Sequence, residues 1–543
     1  MNKKLIILFL IIAFLIRLIA INQAVYDDES DYIVTTQIDT FYGLNNVVFH
    51  PPLVTWINFI PAFFGISIWL FRLVPIIFGL LTIFFAYLIA KKVYNEKAAL
   101  FSAGIMALSF YHILASTQIG DEGAILAFLY TFGFYSYLTY EDGKKLFYWL
   151  TGIAAGLALL AKDSSLMFLG ILTLYIFTKE KKMFSFENFK KTFLKMLPIT
   201  IVAFLLFSIY IILAYLNPVD VTEGVKVTIQ QALGLGFSLQ GLSLLLFWAG
   251  PLLLGLFVLS LFKSERKDRL FLIWSFSALI IYLIFIQVGD HSRYFMNIIP
   301  ALAILGGNFL SKIKFTKRNI VLGISILFVF FIILALMNIG EFRYVPRTFD
   351  SYISEIKALN TDFLFSYTTS SGPLFLISFF SVIFSWLWSL FFLVFSVAWV
   401  KKKIKYFGKL MFIAFLAVSL AFNVFLIQEN LFHNFHANPN NVIYDMTDYY
   451  RENNIQEPVY SNNAGLLFHM NNKYVEDLEE GEEWFYTGVY GENLDKFEMK
   501  GYLFLLDYTP IPRESELWKV KDNCNLIKEF KDKKVKLGYV YRC

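Results

Sequence analysis

Long apolar stretches alternate with short polar ones along most of this chain, and the pattern changes character near residue 428. The apolar segments fall at about 5–24, 68–90, 98–118, 122–139, 146–161, 165–178, 194–216, 241–262, 270–288, 294–310, 319–338, 372–400 and 409–427. A helix needs ~20 apolar residues to cross ~30 Å of hydrocarbon, so the pattern predicts about thirteen transmembrane helices. Segments 146–161 and 165–178 are short for a span and imply tilt or a re-entrant course. The first run starts at Lys3 and Lys4 like a signal peptide, but it has span length and no small-residue cleavage site, so a retained first helix is expected. Between Pro52 and Arg72 the run LVTWINFIPAFFGISIWLF, broken by Pro61 and Gly65, is expected to lie along the outer interface with its tryptophans at headgroup level. The stretch 217–240, with Gly234 and Gly236 near its end, reads as a lid.

From residue 428 onward Asn, Asp, Glu and Lys dominate and apolar positions become interspersed. The local patterns there predict a helix at 441–453, strands near 457–461 and 501–507, a helix around 514–522 and terminal strands flanking Lys531 to Lys534. The expected fold class is thus an α-helical polytopic membrane protein with a small C-terminal extracytoplasmic α/β domain. Residues 1–427 form the transmembrane module, with a first outer loop at 25–67, and residues 428–543 form the soluble domain.

Composition agrees with a membrane protein: 57% of the 543 residues are hydrophobic and only 16% charged, where a soluble chain has roughly 25%. The net charge of +5 matters less than where the lysines and arginines sit, and nothing in it calls for a nucleic acid. Starting from Lys3 and Lys4, every second loop is basic: Lys91 to Lys97, Lys144 and Lys145, Lys179 to Lys195, Lys263 to Arg269, Lys312 to Arg318, and Lys401 to Lys409. Short cytoplasmic loops are enriched in Lys and Arg. This phase puts the N-terminus in the cytoplasm and the C-terminal domain outside.

The unusual polar groups then all fall in the opposite, extracytoplasmic set of loops. They are Asp27, Asp28, Glu29 and Asp31 after the first span, Asp121 and Glu122, Lys162 and Asp163, and the run Asp290-His291-Ser292-Arg293-Tyr294. Carboxylates at the ends of such apolar helices are costly against lipid, so these loops are expected to converge on a shared cavity. The first of them closes with His50-Pro51-Pro52, whose imidazole can offer a proton or a charge to an anion near neutral pH. Arg17, alone within the first span, is expected to be a structural partner or a snorkelling residue. Only two cysteines occur, Cys524 and Cys543, which excludes a thiolate cluster and leaves one disulfide available. His433, His436 and His469 lack the ligand spacing of a metal site.

These residues resemble the GT-C membrane glycosyltransferases, especially the branch of dolichyl-phosphate-mannose-protein mannosyltransferases and bacterial aminoarabinose transferases. The matching pieces are Asp28-Glu29-Ser30-Asp31-Tyr32, His50-Pro51-Pro52-Leu53, Phe71-Arg72-Leu73, Asp121, and Arg293-Tyr294 with Pro300, spread over roughly residues 1–310. A lysine is frequent in that branch where this chain has His50. The resemblance implies an enzyme that moves a single sugar from a polyprenyl (dolichyl or undecaprenyl) phosphate carrier to a protein, lipid or glycan acceptor at the outer membrane face. The Trp-Trp-Asp-Tyr-Gly motif of the oligosaccharyltransferase branch is missing, which favours one sugar over a preassembled glycan. Such a reaction needs a carboxylate base and cationic help for the departing phosphate. Asp28 is the expected base, with Glu29 or Asp121 orienting it, holding the acceptor or sharing a metal. His50, Lys162 and Arg293 are the expected phosphate cations, and Glu122, His291 and Tyr294 complete the expected substrate site. Whether a divalent cation (Mg, Mn or Zn) takes part stays open, with Asp28, Asp121 and His291 as candidate ligands. The competing class is a transporter or lipid flippase. That class is marked by internal repeats and charges at mid-depth, and neither pattern is visible here.

Overall fold

The computed structural model describes residues 3–26, 29–30, 32–33, 51–65, 67–120, 122–180, 184–216, 237–285, 292–345, 349–367, 375–404, 406–471, 484–487, 500–507, 515, 517 and 522–543. Among the described residues, eight helices are long and apolar enough to cross a membrane: Lys4–Asn22, Ile68–Val93, Phe186–Leu213, Gly241–Leu261, Tyr294–Ser311, Lys317–Met337, Phe379–Val400 and Phe407–Phe432. Shorter apolar helices occupy Leu53–Ala62, Leu146–Ala161 and Asp163–Phe177. The segment 98–118 is not one rod: helix Glu96–Leu108 stops at Ser109, whose hydroxyl caps a second short helix, Phe110–Ala115. The expected lid at 217–240 falls mostly outside the described residues; its end, from Leu239, is helical.

Contacts divide the chain into two units, one comprising Met1–Ile21, Thr35–Phe328 and Leu387–Val424, the other Asn22–Val34, Val329–Trp386 and Phe425–Cys543. In the first unit the basic loops are tied to one another. Lys92 pairs with Asp142, and Lys179 with Glu141 at 2.6 Å. Asp268 accepts from Tyr94 and, at 3.1 Å, from Asn308 Nδ2. The Lys97 ammonium donates to the Ser311 carbonyl at 2.8 Å, and that of Lys409 to the Lys314 carbonyl at 3.0 Å. The loops that the charge pattern assigns to one side of the membrane thus gather at one end of these helices.

The second unit carries two sheets. Five strands, β4 (Val459–Ser461), β5 (Trp484–Tyr486), β6 (Tyr502–Leu506), β7 (Asn525–Asp532) and β8 (Val535–Arg542), pair in the order β5-β4-β6-β8-β7, with β4 parallel to β5 and β6. Strand β8 runs antiparallel to β6 and to β7. Helix Pro439–Glu452 packs on the hairpin, and Val442, Ile443 and Met446 enter one core with Phe504, Leu537 and Val540. The expected elements at 441–453, 457–461, 501–507 and around 531–534 therefore appear within a residue or two, whereas most of 514–522 lies outside the described residues. Cys524 and Cys543 form a disulfide.

The smaller sheet, β1 (Arg343–Tyr344), β2 (Phe363–Tyr367) and β3 (Phe375–Ser378), was not foreseen. The apolar pattern places residues 375–378 in the first part of a span at 372–400, but they pair with β2, and the helix begins only at Phe379. Every residue of β2 and β3 is buried. A strand buried on both faces has no alternation, so by periodicity it looks like the helix it leads into.

Candidate active site

The acidic loop starts within the second unit. Asp27, Asp28 and Asp31 lie outside the described residues, and so does His50 further along. What the structure does show is how the approach to them is held. Asn440 Oδ1 accepts from the Ala24 amide at 2.7 Å and from the Tyr26 hydroxyl at 3.1 Å. His469 Nε2 accepts from the Val25 amide at 2.9 Å, and Gln23 Nε2 donates to the Asn430 carbonyl at 2.9 Å. An amide N–H can only donate, so His469 acts here as a neutral imidazole with its proton on Nδ1. Glu29 is fully buried and turns back on its own loop, accepting from the Tyr26 amide at 3.2 Å. Its carboxylate shapes the turn that precedes Asp31. Sequence reasoning missed Asn440 and weighed His469 only as a metal ligand, because the contacts join positions more than four hundred residues apart.

The loop leading to Asp121 belongs to the first unit and rests on two buried arginines. Arg17 donates from Nε to Ser116 Oγ at 2.6 Å, from Nη1 to the Ala13 carbonyl at 2.9 Å, and from Nη2 to His112 Nδ1 at 2.8 Å. Because a guanidinium never accepts, Nδ1 of His112 must, which places that ring's proton on Nε2. Arg72 donates from Nη1 to the Thr117 carbonyl at 2.7 Å. Both arginines are fully buried, as are Ser116, Thr117 and Gln118. Helix Ile68–Val93 comes so close at Gly79 that a Cβ there would stand 2.4 Å from that of Ser116. From this fixed turn the chain passes through Gly120, at φ 68°, to Asp121, which lies outside the described residues. Arg17 is therefore a structural partner rather than a snorkelling side chain.

Lys162 ends helix Leu146–Ala161, and its ammonium lies 5.3 Å from the centroid of the Tyr294 ring. It is only 7% exposed, and the face of the ring offers it the negative end of an aromatic quadrupole. Tyr294 sits on the 3-10 turn Ser292–Ile298, which is braced where Asn297 Nδ2 donates to the Tyr282 hydroxyl at 2.5 Å. That turn packs against helix Glu122–Glu141. The same helix forms a hairpin with Leu146–Ala161, so the start of one and the end of the other share a level. The structure thus brings together Lys162 and Tyr294 and sets the backbone of Glu122 and Arg293 at neighbouring helix ends. The side chains of Glu122 and Arg293 lie outside the described residues, as does His291. All three candidate metal ligands, Asp28, Asp121 and His291, fall there too, and among the described residues no group of three His, Cys, Asp or Glu could hold an ion.

Residues 49–215 match the family of dolichyl-phosphate-mannose-protein mannosyltransferases. A dolichyl-phosphooligosaccharide-protein glycotransferase 2 of Pyrococcus furiosus is 35% identical over 130 residues, covering 22% of this chain and 17% of that protein. Its counterpart in Pyrococcus horikoshii is 36% identical over 81 residues, 14% of this chain and 11% of the other. The matched segments thus span less than a fifth of these two archaeal proteins. Over the whole length, the fold is similar to that of ArnT from Cupriavidus metallidurans bound to undecaprenyl phosphate, with a TM-score of 0.61 and 14% identity over 100% of this chain and 98% of that one. Over its full length this multi-pass membrane protein thus has a fold similar to that of ArnT, and over residues 49–215 it is similar to the dolichyl-phosphate-mannose-protein mannosyltransferases.

Proposed function

We propose that the protein transfers a single sugar from a polyprenyl-phosphate carrier to a hydroxyl-bearing protein, lipid or glycan acceptor at the extracytoplasmic face. The observation that carries this reading is the set of helix ends in the first unit, where Lys162 and Tyr294 meet beside the turn held by Arg72. Fixed cationic groups next to a carboxylate-bearing loop are what transfer from a lipid phosphate requires. In the reaction Asp28 takes the acceptor's hydroxyl proton as the oxygen attacks the anomeric carbon. The bond from that carbon to the phosphate oxygen breaks, and the electron pair leaves with the lipid phosphate. Lys162, Arg293 and His50 receive the charge that develops there, and Asp121, Glu122 and His291 border the sugar. A divalent ion held by Asp28, Asp121 and His291 would add Lewis-acid help to the leaving phosphate.

Orientation follows the same reading. The last span begins in the Lys401 to Lys409 loop and ends at Phe432, so with basic loops in the cytoplasm the domain after it is outside. The Cys524–Cys543 disulfide supports this, since such bonds persist in oxidising compartments.

The test is a purified transferase assay with a labelled polyprenyl-phosphate monosaccharide. Asp28→Asn keeps the size of the side chain and removes its proton affinity, so turnover should fall by roughly two to four orders of magnitude. Asp27→Asn should cost little. Equal, mild effects would remove Asp28 from the mechanism. Transfer only from a lipid-linked oligosaccharide would overturn the single-sugar donor, and movement of label across the bilayer without cleavage would mark a transporter.

A further inference from the structure

At the basic end of the first unit, five lysines line one cavity of about 270 Å³: Lys263, Lys312, Lys314, Lys402 and Lys409, with Trp399 forming its apolar wall. This volume equals that of about nine waters, room for a phosphodiester and a short polar ester. Some lysines at this end have acidic partners, as Lys91 has Glu96, Lys92 has Asp142 and Lys179 has Glu141. Around the cavity the balance differs. Glu265 is already shared by Lys312 and Lys267, at 2.6 and 3.0 Å, and Asp268 is occupied by Tyr94 and Asn308. Among the described residues the ammonium groups of Lys263, Lys314 and Lys402 meet no carboxylate. Three cations facing a common hollow without a counterion repel one another, and an anion between them would relieve this.

The walls say which anion. The cavity lies at the ends of helices Ile299–Ser311 and Phe379–Val400, against Phe309, Val400 and Trp399. Trp399 stacks on Phe412 at 5.3 Å, a tryptophan placed at a helix end where membrane interfaces favour it. The next helix packs tightly against this wall: a Cβ on Gly408 would stand 2.4 Å from that of Trp399, so glycine lets that helix start beside it. A charged floor beside an aromatic rim at the level of lipid headgroups suits an amphiphile better than a free ion.

We propose that this cavity binds the phosphate of an anionic phospholipid headgroup from the cytoplasmic leaflet. The ammonium groups of Lys263, Lys314 and Lys402 take the phosphate oxygens, and Trp399 covers the glycerol. The site is separate from the helix ends that carry Lys162 and Tyr294, and it does not rest on the sugar-transfer reading.

Native mass spectrometry of the full chain, exchanged into a neutral detergent with added phosphatidylglycerol or phosphatidylcholine, tests it. The wild type should retain one phosphatidylglycerol selectively. Each Lys→Gln change at 263, 314 or 402 should weaken retention about fivefold, and the triple variant about a hundredfold. Lys144→Gln with Lys145→Gln, in another basic loop, should leave retention unchanged. Thermal shift supplies the folding check: the triple variant should melt like the wild type without lipid but gain nothing from phosphatidylglycerol. Equal retention of both lipids, or equal loss in the control variant, overturns the site. Protection by millimolar inorganic phosphate alone, with none from the lipid, overturns the lipid in favour of a free phosphate.

Discussion

Two histidines in the second unit make its stability depend on pH in a way that can be worked out. His433 and His436 follow the last span and are buried, and burial away from water pulls each down to about 4. Nearby Lys533 adds to the effect in both, while Asp532 opposes it at His433. In the unfolded chain a histidine titrates near about 6.5. Between these values the unfolded state binds a proton that the folded state refuses, so stability falls as pH falls. The stabilising contribution is whole above about 6.5 and is lost progressively down to about 4. Between pH 7 and pH 5 the loss is about 2 kcal/mol for each histidine, about 4 kcal/mol for the pair. For a unit of this size that is a drop of roughly 10 °C in melting temperature. The variants follow from the geometry. His433 has φ 45°, which asparagine tolerates, and Nε2 of His436 lies 2.8 Å from Asn338 Oδ1, where the amide of glutamine can donate. His433→Asn with His436→Gln should keep the fold and flatten the pH dependence. Hydrogen exchange on peptides from 425–470, recorded in detergent from pH 7 to pH 5, reads the local stability. Wild-type protection that does not change over that range, or a double variant as sensitive as the wild type, would refute the reasoning.

Other expectations follow from the same contacts. Lys162→Met should raise the apparent KM for the lipid-linked donor about tenfold with little change in expression, measured by donor titration; an unchanged KM would return Lys162 to a purely structural place beside Tyr294. Asn440→Ala removes the acceptor of the Ala24 amide's 2.7 Å hydrogen bond and should cost about 1–3 kcal/mol, read as faster exchange at residues 22–26; unchanged exchange would show that the clasp does not order the loop. A protease-cleavable tag after Cys543 should be cut from outside intact cells, and one in 179–195 should be protected; the reverse pattern would invert the orientation and remove the proposed outer site.

Much of the architecture was legible in the residues themselves, because lipid acts on a chain locally. A span must be apolar over its own length, and its ends must carry charge according to the side they face, so the apolar segments and the basic loops reveal themselves without any knowledge of packing. The strands at 459–461 and 502–506 were readable for a similar reason, as short apolar runs among polar residues. What only the tertiary structure decided are the partnerships. Nothing near Arg17 in the chain announces His112 and Ser116, nor does the neighbourhood of Val25 announce His469. Lys162 and Tyr294, 132 positions apart by their numbering, meet only because two helical hairpins end at one level. Local pattern records what a segment needs from its solvent. A buried polar group needs a particular partner, and folding alone chooses which distant residue supplies it.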